Sequence, residues 1–197
     1  MSRTKISWTE STWNPVTGCT KLSAGCKNCY AEKMAMRLKA MGQAKYENGF
    51  AVTTHPECLE EPRHWVKPQM VFVCSMSDLF HRDVPDEFIQ AVFAVMVETP
   101  QHVFQVLTKR SERLAKMASE LPFAPNIWVG VTVENNETVW RADHLRQVPA
   151  ETRFISGEPL LGSLSDLDLT GIDQLIVGGE SGPGWRPMEV DWARDLR

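Results

Sequence analysis

Residues 70–110 read MVFVCSMSDLFHRDVPDEFIQAVFAVMVETPQHVFQVLTKR, and the fold class follows from them. The segment opens on a short apolar run at 70–74. A helical pattern follows over 86–98, with Phe88, Ile89, Val92, Phe93 and Met96 on one face, Pro85 before its start and Pro100 after its end. A second apolar run lies at 103–107. Apolar runs without polar alternation suit strands covered on both faces, and strand, helix, strand is the unit of a parallel sheet.

The same alternation extends in both directions. Further strands are expected at 127–133, 152–156 and 174–177, with weaker candidates at 5–8 and 50–53. Helices are expected at 111–121 and 138–148. Another is expected at 29–41, a run of good helix formers that stops at Gly42. Residues 42–68 are the least regular part. The pattern predicts an α/β fold, a partial (β/α) barrel of parallel strands, with residues 1–197 as a single domain.

Composition agrees with one folded domain. Of 197 residues, 43% are hydrophobic and 23% charged, and a chain of this length buries roughly 70% of its unfolded surface. The net charge of -4 argues against nucleic-acid binding by bulk charge, so any such binding needs a local patch. No apolar run reaches the roughly 18 residues of a membrane span and no signal peptide opens the chain, so a cytoplasmic protein without membrane contact is expected.

In parallel α/β folds, chemistry gathers at the C-terminal ends of the strands. Those ends read Ser75-Met-Ser-Asp78, Thr108-Lys-Arg110, Thr132-Val-Glu-Asn135, Gly157-Glu-Pro159 and Gly178-Gly-Glu-Ser181. Any one of them is ordinary turn and cap chemistry. All five being polar or glycine-rich points to one shared cavity.

Five cysteines in a reducing compartment favour metal binding or catalysis over disulfides. Cys19, Cys26 and Cys29 fall within eleven residues, in a loop that Pro15, Gly18 and Gly25 let wrap around an inorganic centre. Cys74 sits in an apolar run and reads as a small buried hydrophobe. Soft thiolates this close suit iron–sulfur or zinc. A structural zinc normally closes with four ligands, whereas a four-iron cluster on three thiolates keeps one iron open. A zinc knuckle closed by Cys58 or His55 remains an alternative, as do three unrelated thiols. Cysteine–histidine nucleophilic catalysis lacks a marked nucleophile context.

Cys26-Lys-Asn-Cys29-Tyr30-Ala resembles the second half of the radical S-adenosylmethionine (SAM) signature. The gap between Cys19 and Cys26, six residues, is longer than in that signature. The stretches Trp13-Asn-Pro-Val-Thr-Gly-Cys19, Ser75-Met-Ser-Asp-Leu-Phe-His81, Val106-Leu-Thr-Lys-Arg110, Trp128-Val-Gly-Val-Thr-Val-Glu134, Ser156-Gly-Glu-Pro-Leu-Leu161 and Gly178-Gly-Glu-Ser-Gly182 resemble a phage and prophage family described as radical-SAM-like with a three-cysteine motif. Nearly the whole chain shares that resemblance. The family usually continues beyond Asp191-Trp-Ala-Arg, so a chain ending at Arg197 is expected to lack a rim of the barrel.

The resemblance implies a [4Fe-4S] cluster on Cys19, Cys26 and Cys29, with SAM on its open iron, and a phage-encoded enzyme in the bacterial cytoplasm. Lys109 resembles the lysine that spore photoproduct lyase directs at the SAM carboxylate. Ser75 and Ser77 are expected at the polar groups of SAM, Glu134 at its ribose or amino group, and Tyr30 near its adenine. Glu158, Glu180, Asp78 and His81 are expected at the substrate end. A nucleotide or nucleic acid is the implied substrate, with Trp185, Arg186, Arg110 and Arg113 available to stack on bases. A reductant such as flavodoxin or ferredoxin and a three-Cys-motif partner protein are the implied partners. Two alternatives stand beside this: a zinc-stabilised nucleic-acid-binding module, and a degenerate barrel whose cluster is structural while a partner does the chemistry.

Overall fold

The computed structural model describes residue 4, residues 6–182 and residues 184–196. Its strands are β1 (Ser11–Trp13), β2 (Val16–Thr17), β3 (Thr53–Thr54), β4 (Met70–Val73), β5 (Val103–Thr108), β6 (Ile127–Thr132), β7 (Thr152–Gly157) and β8 (Gln174–Val177). Its α-helices are α1 (Tyr30–Ala40), α2 (Asp86–Glu98), α3 (Ser111–Met117), α4 (Trp140–Arg146) and α5 (Val190–Arg194). Among the described residues six strands form one parallel sheet in the order β1-β4-β5-β6-β7-β8, open rather than closed into a barrel. The small strands β2 and β3 pair antiparallel beside it.

Alternation along the strands separates two kinds of sheet surface. Val71, Val73, Phe104, Val106, Ile127, Val129, Val131 and Ile155 are at most 1% exposed and share a core with Ile89, Val92, Phe93 and Met96 of α2 and with Leu114 and Leu145. Burying such a side chain contributes about 1.5–3 kcal/mol, so this layer is the main stabilising contact of the fold. The neighbouring strand positions are mixed: Phe72, Gln105, Thr132, Phe154 and Ser156 are buried too, but three of the five are polar. Phe72, Thr132 and Ser156 line the cavity described below.

The N-terminal arm differs from expectation. Of the candidate strand 5–8, Lys5 lies outside the described residues, and Ile6, Ser7 and Trp8 form no strand. Instead the Trp8 ring packs at 4.7 Å from Phe72 and 6.5 Å from Phe154, while Gln105 Nε2 donates to the Trp8 carbonyl at 3.3 Å. Trp8 therefore acts as a plug, and the first strand starts at Ser11. The candidate strand 50–53 reduces to β3, and two 3₁₀ helices, Ala44–Tyr46 and Pro56–His64, organise the irregular region. Among the described residues no helix is long and apolar enough to cross a membrane.

Gly130 of β6 faces Phe154 of β7, its registered neighbour. A Cβ at Gly130 would lie 2.6 Å from the Phe154 ring, which is wholly buried and has nowhere to retreat. Gly130→Ala is expected to cost about 1–3 kcal/mol, the usual penalty of overpacking. Adding Phe154→Leu to that variant should return part of the loss. Urea denaturation of the two variants and their parent measures both.

Candidate functional site

The strand ends converge as their sequences suggest. One cavity of about 880 Å³ takes residues 75–78 from beyond β4, Lys109 and Arg110 from beyond β5, Thr132 from β6, Glu158 from beyond β7, and Glu180 and Ser181 from beyond β8. Thr12, Phe72 and Trp8 line it as well, together with Cys19, Cys26, Cys29 and Tyr30 from the cysteine loop and α1. Its wall includes a left-handed residue, Cys74, at φ 61°. Cys74 N donates to the Trp13 carbonyl at 2.7 Å and Ser77 N to the Cys74 carbonyl at 3.1 Å, a tight turn that sends the chain into the cavity. Cys74 borders the cavity but is only 2% exposed, part of its wall.

The cysteine loop has little regular structure and is held from outside. Gly18 opens it at φ 80°, where a Cβ would collide with the Ala51 carbonyl oxygen at 2.1 Å, so only glycine fits. Asp78, 6% exposed, fixes the next point. Its Oδ1 accepts from Phe80 N (3.1 Å) and Thr108 Oγ1 (2.7 Å), and its Oδ2 from Lys109 N (3.1 Å) and Arg110 NH1 (3.0 Å). Arg110 NH2 then donates to the carbonyl (3.0 Å) and Oγ1 (3.2 Å) of Thr20, whose hydroxyl also bonds His81 Nε2 at 2.7 Å. Ser23 Oγ donates to Glu134 Oε1 at 2.6 Å, with Gly25 pressed on the same carboxylate. Asn28 Nδ2 donates to Glu180 Oε2 at 2.8 Å, and Arg186 NH2 to the Ala24 carbonyl at 2.9 Å. Groups from beyond four strands thus hold one loop.

All three thiols of that loop are half-buried and face the same cavity. Burial, with the Asp78 carboxylate added, pushes the Cys19 thiol up to about 11, against the opposing pull of Arg110. Among the described residues no three His, Cys, Asp or Glu side chains are gathered closely enough to hold a metal ion. A single tetrahedral zinc would draw three sulfurs together at bonds of about 2.3 Å, a tighter gathering than these side chains make. In a four-iron cluster each thiolate binds a different iron, so the sulfurs stand further apart. Three thiols are the soft donor type that both iron–sulfur clusters and zinc take. Neither closing ligand of the zinc alternative reaches the cavity: Cys58 Sγ accepts from Lys45 Nζ at 3.0 Å, and His55 bonds Thr17 Oγ1 at 2.8 Å and pairs with Glu57.

The remaining expected residues divide. Lys109 lines the cavity, its Nζ 3.4 Å from Thr132 Oγ1. Ser75 Oγ donates to Asn14 Oδ1 at 3.1 Å and Ser77 Oγ to the Val16 carbonyl at 2.8 Å, so both hydroxyls have backbone-fixing partners. Tyr30 is partly exposed; its hydroxyl donates to the Ser75 carbonyl, and desolvation followed by the charge of Cys29 pushes it up to about 12. Glu158 lines the cavity and accepts from Trp8 Nε1 at 3.3 Å. Glu134 is not brought to the cavity. It lies behind the cysteine loop in a pocket of about 290 Å³, 3.7 Å from the buried guanidinium of Arg141. Arg113 donates to the Val84 and His81 carbonyls and pairs with Asp86, and Arg110 donates to Asp78 and Thr20, so protein partners fix both guanidiniums in place. Trp185 is 60% exposed. Sequence reading missed Trp8 and Asn14 as site residues; an early tryptophan outside any amphipathic pattern was the available signal for the first.

The chain matches a family profile described as Protein of unknown function (DUF5131) over residues 3–197. No curated protein and no solved structure matches it.

Glu180 supplies a test of the loop's anchorage. Hydrogen bonds from Arg186, then that of Asn28, hold its carboxyl down at about 2, against the opposing effect of burial. A depressed carboxylate stabilises the fold above its unfolded pKa, roughly 4.3, and loses that contribution as pH falls toward the folded value. Glu180→Gln is therefore expected to cost about 1–3 kcal/mol at pH 7. The gap to wild type should stay constant above roughly pH 5 and shrink below it, toward the pKa of about 2. Denaturant titrations at a series of pH values read this directly.

Proposed function

From the premise that this chain belongs to the DUF5131 family, we propose that it is an iron–sulfur enzyme of the radical-SAM type, acting on a nucleotide or nucleic acid. One observation carries the reading. Three thiols from an eleven-residue segment face a single cavity at the C-terminal ends of parallel strands, where such folds do chemistry. The strand order supports it: every strand of the sheet lies beside the one preceding it in the sheet's sequence, which is the winding of an opened (β/α) barrel.

Cys19, Cys26 and Cys29 would hold the cluster, which when bound supplies an open iron for a small chelating ligand and a source of single electrons. The chain's own residues do the rest. Lys109 puts an ammonium beside the cavity, where reduced dielectric strengthens its pull on a carboxylate. Ser75 and Ser77, pinned through their hydroxyls, fix the turn that carries Asp78 rather than move with ligand. Trp8 and Phe72 line the cavity, and Trp8 packs on Phe154 as well, so this wall is apolar and disfavours water. Glu158, beside Trp8, offers a carboxylate to substrate donors. Aromatic walls with a few charged groups, in a volume within the ~300–1,000 Å³ of ligand pockets, suit a nucleotide-sized substrate. The activity would need a reductant such as flavodoxin or ferredoxin, in a bacterial cytoplasm where free thiols persist. The phage setting and a three-Cys-motif partner protein are proposed with it.

Anaerobic reconstitution with iron and sulfide tests the reading. The expected product is a brown protein whose reduced-state EPR signal changes when SAM is added. Cys19→Ala, Cys26→Ala and Cys29→Ala should each abolish cluster uptake, while Cys74→Ala retains it. A colourless protein carrying one zinc per chain would overturn the proposal in favour of a binding module. A cluster indifferent to SAM would reduce its role to a structural one.

A further inference from the structure

We propose that Arg110 is a positioning residue that sets the reduction potential of the cluster through the sulfur of Cys19; the inference rests on the cluster reading above. Arg110 NH1 lies 3.5 Å from Cys19 Sγ, within donor range for a sulfur acceptor, and 3.0 Å from Asp78 Oδ2. Its NH2 is occupied by the carbonyl and hydroxyl of Thr20. The guanidinium therefore cannot turn away from the sulfur without losing contacts at both nitrogens. The backbone is fixed too: Arg110 N donates to Thr108 Oγ1 at 2.8 Å, and that hydroxyl donates to Asp78.

The three thiols are not equivalent in this respect. Among the described residues a charged donor reaches the sulfur of Cys19, whereas the side chain beside Cys26 is the neutral Ser23 hydroxyl at 4.0 Å. The side chains of Arg110 and Asp78 are 13% and 8% exposed, so solvent screens this charge weakly. Adding an electron to a cluster raises the negative charge on its sulfurs. A cation hydrogen-bonded to one of them favours the reduced form and lifts the potential. The Asp78 carboxylate restrains that effect by sharing the guanidinium. Cys19 becomes the ligand through which the end of β5 addresses the cluster's electronics.

The experiment compares the full chain with its Arg110→Gln and Arg110→Lys variants, each reconstituted anaerobically with iron and sulfide. Iron and sulfide content and an EPR-monitored redox titration are read for each. Loading is compared first, because Arg110 also anchors Thr20; in the chains that load, the Arg110→Gln midpoint is expected at more negative potential and the Arg110→Lys midpoint between it and wild type, because lysine keeps the charge and loses the fork. Equal loading with unchanged midpoints overturns this inference and leaves the cluster reading standing. A wild-type chain that takes up no cluster removes both. Should Arg110→Gln alone fail to load, Arg110→Lys decides: a midpoint below wild type supports the proposal, and an unchanged one overturns it. Failure of both variants to load would make the arginine structural and overturn the proposal.

Discussion

The architecture of the site depends on a buried carboxylate that has no unpaired oxygen. Asp78 is almost wholly removed from water, and a charge in that position is tolerated only when every lone pair is met. Four donors meet it: a backbone amide from its own turn, the Thr108 hydroxyl, the Lys109 amide and the Arg110 guanidinium. Three of the four come from the end of the neighbouring strand. The carboxylate thus locks the exits of β4 and β5 into one unit, and through Arg110 it extends that unit to the cysteine loop.

The two sides of the sheet carry separate tasks. One side is a continuous apolar layer against α2, α3 and α4, where shape complementarity and burial supply most of the stability. The other contains Gln105, Thr132 and Ser156 among aromatic rings, a surface that a pure core would not use. Polar groups there need partners, and some are supplied by the N-terminal arm, as in the bond from Gln105 to the Trp8 carbonyl. Among the described residues Gln105 Oε1, wholly buried, has no hydrogen-bond partner.

Much of the fold was legible because its strands and crossover helices are set by local periodicity. Helix α2 and strand β8 fall on their expected bounds, and β4 to β7 differ at their C-terminal ends by one residue. Helix α4 begins two residues late because a 3₁₀ turn over Asn136–Thr138, capped by Asn135, absorbs its first residues. Convergence of the strand ends was legible too, since parallel topology puts them at one edge. The roles of Glu134, Arg110 and Arg113 were not. Each is a long side chain at a strand exit or helix start, and a sequence gives no reason for it to turn into the cavity or back onto a loop dozens of residues away. Trp8 failed for the same reason: its partners Phe72 and Phe154 lie far along the chain.

The cysteine loop shows why those nonlocal contacts matter more than its own sequence. A segment with one short 3₁₀ turn, Ala24–Cys26, gains little from internal hydrogen bonds. Ordering each residue costs about 1–2 kcal/mol of backbone entropy, so an isolated loop of this kind would not keep three thiols facing one direction. The contacts that oppose this cost are spaced along it, at Gly18, Thr20, Ser23, Ala24 and Asn28, and their partners follow the exits of four strands, β4, β5, β6 and β8. Several involve charged partners, whose hydrogen bonds contribute about 1.5–3 kcal/mol against 0.5–1.5 for neutral ones. Preorganisation of the thiols is therefore a property of the strand ends. Glu134 and Glu180 thus bear on the cysteines from outside the loop, through Ser23 and Asn28.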